Sequence, residues 1–248
     1  MIPLGTGDFR ASLPAKVLTK MLRMALSVKP AEASSVGQVG ALLEVAGGVA
    51  KLVATDGHRL AYLETMPATA GILGEHRLVV PWETVVVVER LFPRTDPDTA
   101  VVIARFDSDR NLQVGDRFLK AGSGVEGFPD YEPLFQEDRP HSVTIDCGEL
   151  EAAIKNLSVS LETVIRLRLE PGQLRLMTPS GVEPVGLAIA YQGPSIETTL
   201  NSRYLVEALR VTGGNKITLR LGDGTGPIEI SCNQDGTTQK FIIMPLRI

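Results

Sequence analysis

The feature that most constrains this chain is a polar turn set between two strand-like runs. Lys51-Leu52-Val53-Ala54 and Leu60-Ala61-Tyr62-Leu63 both suit strands, and Thr55-Asp56-Gly57-His58-Arg59 lies between them. Asp-Gly marks a hairpin because glycine accepts the backbone angles of a tight reversal and aspartate bonds readily to nearby amides. The stretch therefore predicts two antiparallel strands and a sheet for them to join. Spacing alone leaves two readings open. Asp56 braces its own backbone and His58 is satisfied locally, or the crowded polar groups form a site.

Elements on either side of this hairpin recur in a fixed order. Residues 13–28 have helical spacing, with Lys16, Lys20 and Arg23 on one face and Val17, Leu18, Met21, Leu22 and Ala25 as the apolar remainder. Strand-like runs follow at 41–45, 51–54 and 78–80, then a helix over 82–92 that opens after Pro81. Further strands are expected at 100–106, 112–114 and 118–121, and Phe128-Pro129-Asp130-Tyr131 closes the unit. The order then restarts: a strand at 142–145, a helix over 149–159, strands at 165–169 and 174–177 joined by Pro171-Gly172, and strands at 185–191 and 198–200. Asn201 caps a helix over 204–211, and alternating runs at 216–221, 228–232 and 240–246 finish the chain. The glycine turns at Gly47 and Gly172, and the helices beginning near Trp82 and Asn201, are about 120 residues apart. That recurrence predicts two copies of an α+β unit, residues 1–136 and 137–248, joined by the polar stretch 136–139.

Composition limits the function. With 248 residues, 44% hydrophobic, the chain can bury two cores, and its net charge of −4 gives no overall attraction to nucleic acid or anionic membranes. Any such binding needs a local basic patch. Residues 1–8 carry no basic start followed by an apolar segment, and the longest aliphatic run, 85–88, is far short of a membrane span. The expectation is a complete cytoplasmic protein with no membrane association. Cys147 and Cys232 are far apart and fit no metal-ligand spacing, so they read as reduced structural cysteines with no zinc. An enzyme would need Asp56 to orient His58 as a base, or Glu151 as a lone acid; His76 and His141 are isolated. No nucleophile motif, phosphate loop or metal spacing supports catalysis, so no enzyme and no cofactor are expected.

Specific motifs carry a resemblance. Ala54-Thr55-Asp56-Gly57-His58-Arg59-Leu60-Ala61 resembles the signature turn of the bacterial sliding-clamp family, the β subunit of DNA polymerase III. Phe128-Pro129-Asp130-Tyr131, the run from Asn201 to Leu209 and the C-terminal Phe241-Ile242-Ile243-Met244-Pro245-Leu246-Arg247-Ile248 are similar to further family motifs in the right order. The likeness covers nearly the whole chain but corresponds to the family's second and third domains, with its first domain missing. It implies two tandem clamp domains, each with two inner helices and outer antiparallel sheets.

The resemblance also implies a function without covalent chemistry. Clamps close a ring of six similar domains around duplex DNA, independent of its sequence, so three copies of a two-domain chain, a homotrimer, would complete one. Lys16, Lys20 and Arg23, with Lys155, Arg203 and Arg210 on later helices, would form a basic lining toward phosphate. Short linear motifs on DNA polymerase, the clamp loader and repair proteins would dock in an apolar pocket. Its residues, carried over from the family, are Thr55, Gly57, His58, Arg59, Leu60, Pro129, Leu134, Asn201, Tyr204 and the tail Ile242, Ile243, Met244, Pro245, Leu246, Arg247 and Ile248. In that picture Leu60, Leu134, Ile243 and Met244 give the apolar floor, and His58, Arg59 and Arg247 the polar edge. Three places depart from the family pattern: Glu132-Pro133 replaces a common arginine, and Gln38 and Glu162 fall near apolar positions. They imply an altered peptide preference. The alternative is a clamp-derived adaptor or regulator that binds clamp-motif peptides without encircling DNA.

Overall fold

A computed structural model describes residues 9–30, 40–66, 69–70, 76–91, 96–106, 111–114, 117–120, 128–157, 164–179, 183–212 and 214–247. Gln38, Glu162 and Ile248 lie outside the described residues. The chain forms two compact units, Met1–Pro129 with Asp235–Thr238, and Asp130–Gln234 with Gln239–Ile248.

The first unit contains β1 (Phe9–Pro14), α1 (Ala15–Ser27), β2 (Gly40–Ala46), β3 (Val49–Thr55), β4 (Arg59–Thr65), β5 (Thr69–Ala70), β6 (His76–Pro81), α2 (Trp82–Leu91), β7 (Ala100–Phe106), β8 (Asn111–Val114) and β9 (Arg117–Lys120). One antiparallel sheet runs β5-β1-β7-β8-β9, and a second set runs β4-β3-β2-β6. In α1 the residues at three- and four-residue spacing, Val17, Leu18, Met21, Leu22 and Ala25, are buried, while Lys16 and Arg23 are exposed. The helix ends where Lys29 and Pro30 follow, since proline disfavours a helical residue before it. It packs on β3 and β4 and against α2, which in turn packs on β2 and β6. Leu42, Val53 and Leu63 are fully buried on these strands, and each such burial is worth about 1.5–3 kcal/mol over exposure.

The second unit contains α3 (Glu132–Gln136), β10 (His141–Asp146), α4 (Cys147–Leu157), β11 (Val164–Glu170), β12 (Gln173–Met177), β13 (Val185–Ala188), β14 (Ile196–Asn201), α5 (Ser202–Thr212), β15 (Lys216–Leu221), β16 (Ile228–Gln234) and β17 (Thr237–Ile243). One sheet runs β13-β12-β11-β14, and the other set runs β10-β15-β16-β17. Alternation fixes which face is core: Ile165, Leu167 and Leu169 point inward from β11, Leu174 and Leu176 from β12, while Arg166 and Arg175 face water. Helix α4 packs on β12 and β13 and against α5.

The repeat expected from glycine and helix spacing is present in the topology. Strand order β4-β3-β2-β6 in the first unit matches β13-β12-β11-β14 in the second, and each unit pairs two helices on its sheets. Corresponding hairpins turn at Gly47-Gly48 and at Pro171-Gly172, where Gly47 (φ 57°) and Gly172 (φ 78°) take angles that other residues rarely adopt. The fold is α+β, with two helices packed on antiparallel sheets in each unit, as the resemblance implied.

Some local structure was not expected. The Glu132-Pro133 departure opens the short helix α3, with proline early in its first turn, where its missing N–H costs nothing. Arg139, in the stretch whose polarity reads as a joint, is held inside the second unit: Nε donates to the Pro227 carbonyl at 2.9 Å, and Nη2 lies 3.2 Å from Glu137 Oε2. His141 is not isolated; it opens β10 with Nδ1 3.1 Å from the Tyr191 hydroxyl. Cys147 and Cys232 are buried and stand outside any disulfide, and burial pushes the Cys147 thiol above its ordinary value.

Candidate partner and nucleic-acid surfaces

The signature turn is braced by its own aspartate. Asp56 Oδ1 accepts the backbone N–H groups of His58 and Arg59, each at 2.9 Å, and Oδ2 accepts Arg59 Nε–H at 3.0 Å. Thr55 adds a second brace: its hydroxyl donates to the Arg59 carbonyl at 2.8 Å and accepts Gly57 N–H at 3.0 Å. Gly57 sits at φ 88°, the region the reversal requires. Both carboxylate oxygens are thus occupied by the turn itself. Asp56 meets His58 through the backbone amide, so the arrangement lacks the bond a base and its orienter would need.

This bracing determines what the turn presents. Arg59 is buried at 8% exposure, its Nε held by Asp56, so it is not displayed at an edge as the resemblance suggested. Gly57 and His58 are exposed, and Thr55 and Leu60 are buried. Leu60 at 2% exposure belongs to the core.

The remaining partner candidates divide in the same way. In the second unit Ile242 and Ile243 are core residues at 1% and 0% exposure, whereas Met244 and Leu246 are exposed at 38% and 36%. The tail is secured where Leu246 N–H donates to the Thr199 carbonyl on β14 at 2.8 Å. Pro245 is half-buried beside it, and Arg247 is exposed. Asn201 and Tyr204 are half-buried, and Asn201 Oδ1 caps α5 by accepting Arg203 N–H at 2.9 Å. Leu134 on α3 is half-buried next to the ring pair Tyr131 and Phe135, and Pro129 of the first unit is half-buried. Of the expected floor, then, Leu134 and Met244 reach the surface, while Leu60 and Ile243 do not.

The cations expected to face DNA stand on helices, and carboxylates lie beside Lys16, Arg23, Lys155, Arg203 and Arg210. On α1, Lys16 lies 2.6 Å from Asp98, which holds its ammonium above the usual range, and Arg23 lies 3.1 Å from Glu89 on α2. Lys20 is half-buried on the same helix. On α4, Glu151 takes Lys155 at 2.7 Å and, across to α5, Arg210 at 2.9 Å. The hydrogen bonds from Lys155 and Arg210 hold the Glu151 carboxyl below its ordinary value. Arg203 pairs with Glu207 at 2.9 Å within α5. These carboxylates were missed in the sequence. The Lys155 and Arg203 pairs could have been found from their four-residue helical spacing; Arg23 with Glu89 and Glu151 with Arg210 join separate helices and carry no local signal.

Comparison with known proteins agrees with this geometry. Residues 133–247 match the family model of the DNA polymerase III beta subunit, C-terminal domain. The chain resembles the bacterial beta sliding clamp. The beta sliding clamp of Synechococcus elongatus is 26% identical over 255 residues, a match covering 100% of this chain and 68% of that protein. The clamp of Pseudomonas putida is 30% identical over 218 residues, covering 84% of this chain and 58% of that protein. The crystal structure of the DNA polymerase III subunit beta from Pseudomonas aeruginosa superposes with a TM-score of 0.82 at 25% identity, covering 100% of this chain and 69% of that one. The chain thus spans roughly three-fifths to two-thirds of its sliding-clamp relatives and resembles their second and third domains. Among the described residues no helix is long and apolar enough to cross a membrane, and no group of acidic, histidine or cysteine side chains is placed to hold a metal.

Proposed function

We propose that this chain is the subunit of a DNA sliding clamp, a cytoplasmic processivity factor that encloses duplex DNA and tethers replication and repair proteins to it. The observation that carries the reading is the match of the entire chain to a polymerase III beta subunit at a TM-score of 0.82. Three copies of the two-unit chain supply the six units of a closed ring, with α1, α2, α4 and α5 toward the DNA. Helix α1 carries Lys16, Lys20 and Arg23 and no acidic residue of its own; Asp98 and Glu89 pair with Lys16 and Arg23 from other segments, and phosphate would compete with them in weak, exposed pairs. Enclosure needs no tight grip. Weak, salt-sensitive contact with phosphate leaves the ring free to move along the duplex.

Polymerase, clamp loader and repair proteins dock through short peptides. The exposed Met244 and Leu246 offer apolar anchors, and His58 and Arg247 offer polar groups. Thr55, Gly57, Arg59, Leu60 and Pro129 in the first unit, and Leu134, Asn201, Tyr204, Ile242, Ile243 and Pro245 in the second, are the further candidates, each supporting the contacts of its own unit. The altered Glu132-Pro133 stretch, now part of α3, shifts the peptide preference away from that of an ordinary bacterial clamp.

The neutralised helix cations favour a second reading, an adaptor that captures clamp-binding peptides without enclosing DNA. Light scattering separates the subunit counts: a ring gives about three times the 26.7 kDa chain mass, whereas a strict monomer or dimer defeats the trimer. Retention on circular but not linear DNA favours the clamp, and no difference between the two favours the adaptor.

A further inference from the structure

The helix pair of the second unit holds two of its cations on one carboxylate. Glu151 on α4 lies 2.7 Å from Lys155 Nζ one turn along the same helix and 2.9 Å from Arg210 Nε on α5. The side chains of Lys155 and Arg210 are 50% and 46% exposed, and Glu151 is 21% exposed. Two positive groups therefore stand at the surface with a negative one set between them. The first unit has the reverse arrangement, with Arg23 on its first helix and Glu89 on its second, and there one carboxylate takes one arginine.

We propose that Glu151 regulates how strongly this helix pair holds nucleic acid, by competing with phosphate for Lys155 and Arg210. The inference rests on the proposed function in placing α4 and α5 against the duplex. Exposed ion pairs are weak and exchange easily, so a phosphate can take either cation without unfolding anything. With Glu151 in place, the trio presents one net positive charge instead of two, and the attraction to a polyanion falls accordingly. The carboxylate makes contact reversible, which a sliding ring requires and a tightly binding protein does not.

The test compares the wild-type chain with Glu151→Gln and Glu149→Gln on a short linear duplex, following fluorescence anisotropy over a range of salt. Glutamine at 151 keeps the size of the side chain and removes the charge between the cations. Glu149 is exposed in the first turn of the same helix, so its change alters net charge equally without touching the trio. Glu151→Gln is expected to bind about fivefold more tightly near 100 mM salt and to steepen the salt dependence by about 0.9, the increment for one more phosphate contact. Glu149→Gln is expected to give less than half that change. Equal effects of the two variants, or weaker binding by Glu151→Gln, overturn the inference. A short linear duplex reads the helix surface whether or not a ring closes. A predicted shift here without selective retention on circular DNA would thus remove the ring reading and leave the role of Glu151 standing. Binding by none of the three proteins at low salt would overturn the inference and leave the ring reading to the circular-DNA retention assay.

Discussion

Replacing Asp56 with alanine tests whether the signature turn is a structural brace. The substitution removes hydrogen bonds to two backbone amides and one to the Arg59 guanidinium, at 2.9, 2.9 and 3.0 Å. The His58 amide lies at an exposed position and can turn to water, so its loss costs little. The Arg59 amide and guanidinium are different, because Arg59 is 8% exposed and Asp56 12%. Hydrogen bonds to charged groups contribute about 1.5–3 kcal/mol, and breaking a buried ion pair costs about 3–5 kcal/mol. The pair is near the surface, which lowers the figure, and we expect a loss of about 3 kcal/mol.

Trp82 makes this measurable in one unit. It is the only tryptophan in the chain, lies in the first unit and is 6% exposed, so its fluorescence follows unfolding of that unit. With a urea slope of about 1.5 kcal/mol/M, the midpoint should fall by about 2 M at unchanged slope. Asp56→Asn retains an oxygen for the amides but loses the charge, and should fall between wild type and alanine. A midpoint within about 0.3 M of wild type for Asp56→Ala would refute the bracing argument.

Three further outcomes follow from the geometry. Arg139→Ala loses the bond to the Pro227 carbonyl and the pair with Glu137, and should destabilise the second unit by about 2–3 kcal/mol, measured by denaturant-monitored circular dichroism. Glu151 is held below its ordinary value of 4.5 by Lys155 and Arg210, so its stabilising contribution is complete above that pH and is lost as pH falls through the folded value. Between wild type and Glu151→Gln, the difference in unfolding midpoint should therefore shrink on acidification below about 4.5. Met244→Ala with Leu246→Ala removes the two exposed apolar groups of the tail, and should weaken binding of a clamp-motif peptide at least tenfold by fluorescence titration while leaving the thermal midpoint unchanged.

The fold was legible where local chemistry dictated it. Asp56-Gly57 marked a hairpin because one side chain satisfies the amides of its own turn, and Gly47 and Gly172 marked the repeat because few residues adopt their backbone angles. Residues 165–169 read as a strand, and the structure bears this out, with Arg166 exposed and Leu167 buried on alternate faces. Helix α3 was not legible, since five residues with a proline in the first turn give no periodicity to read. Apolar type alone did not separate a pocket floor from the core: Leu60 and Ile243 share their chemistry with Met244 and Leu246, and only packing distinguishes them. The environment of the helix cations was half legible. The positions of the cations follow from helical spacing, but their charge depends on carboxylates such as Glu89 and Glu151, which tertiary structure brings alongside.

Enclosure is the central claim, and cutting the DNA measures it directly. The protein is assembled on closed circular plasmid at moderate salt, freed of unbound chain, and a single double-strand break is then introduced. A ring held by topology stays with the plasmid before the cut and leaves through the new ends after it. Retention that is unchanged by the break, or absent on the intact circle, would contradict the account.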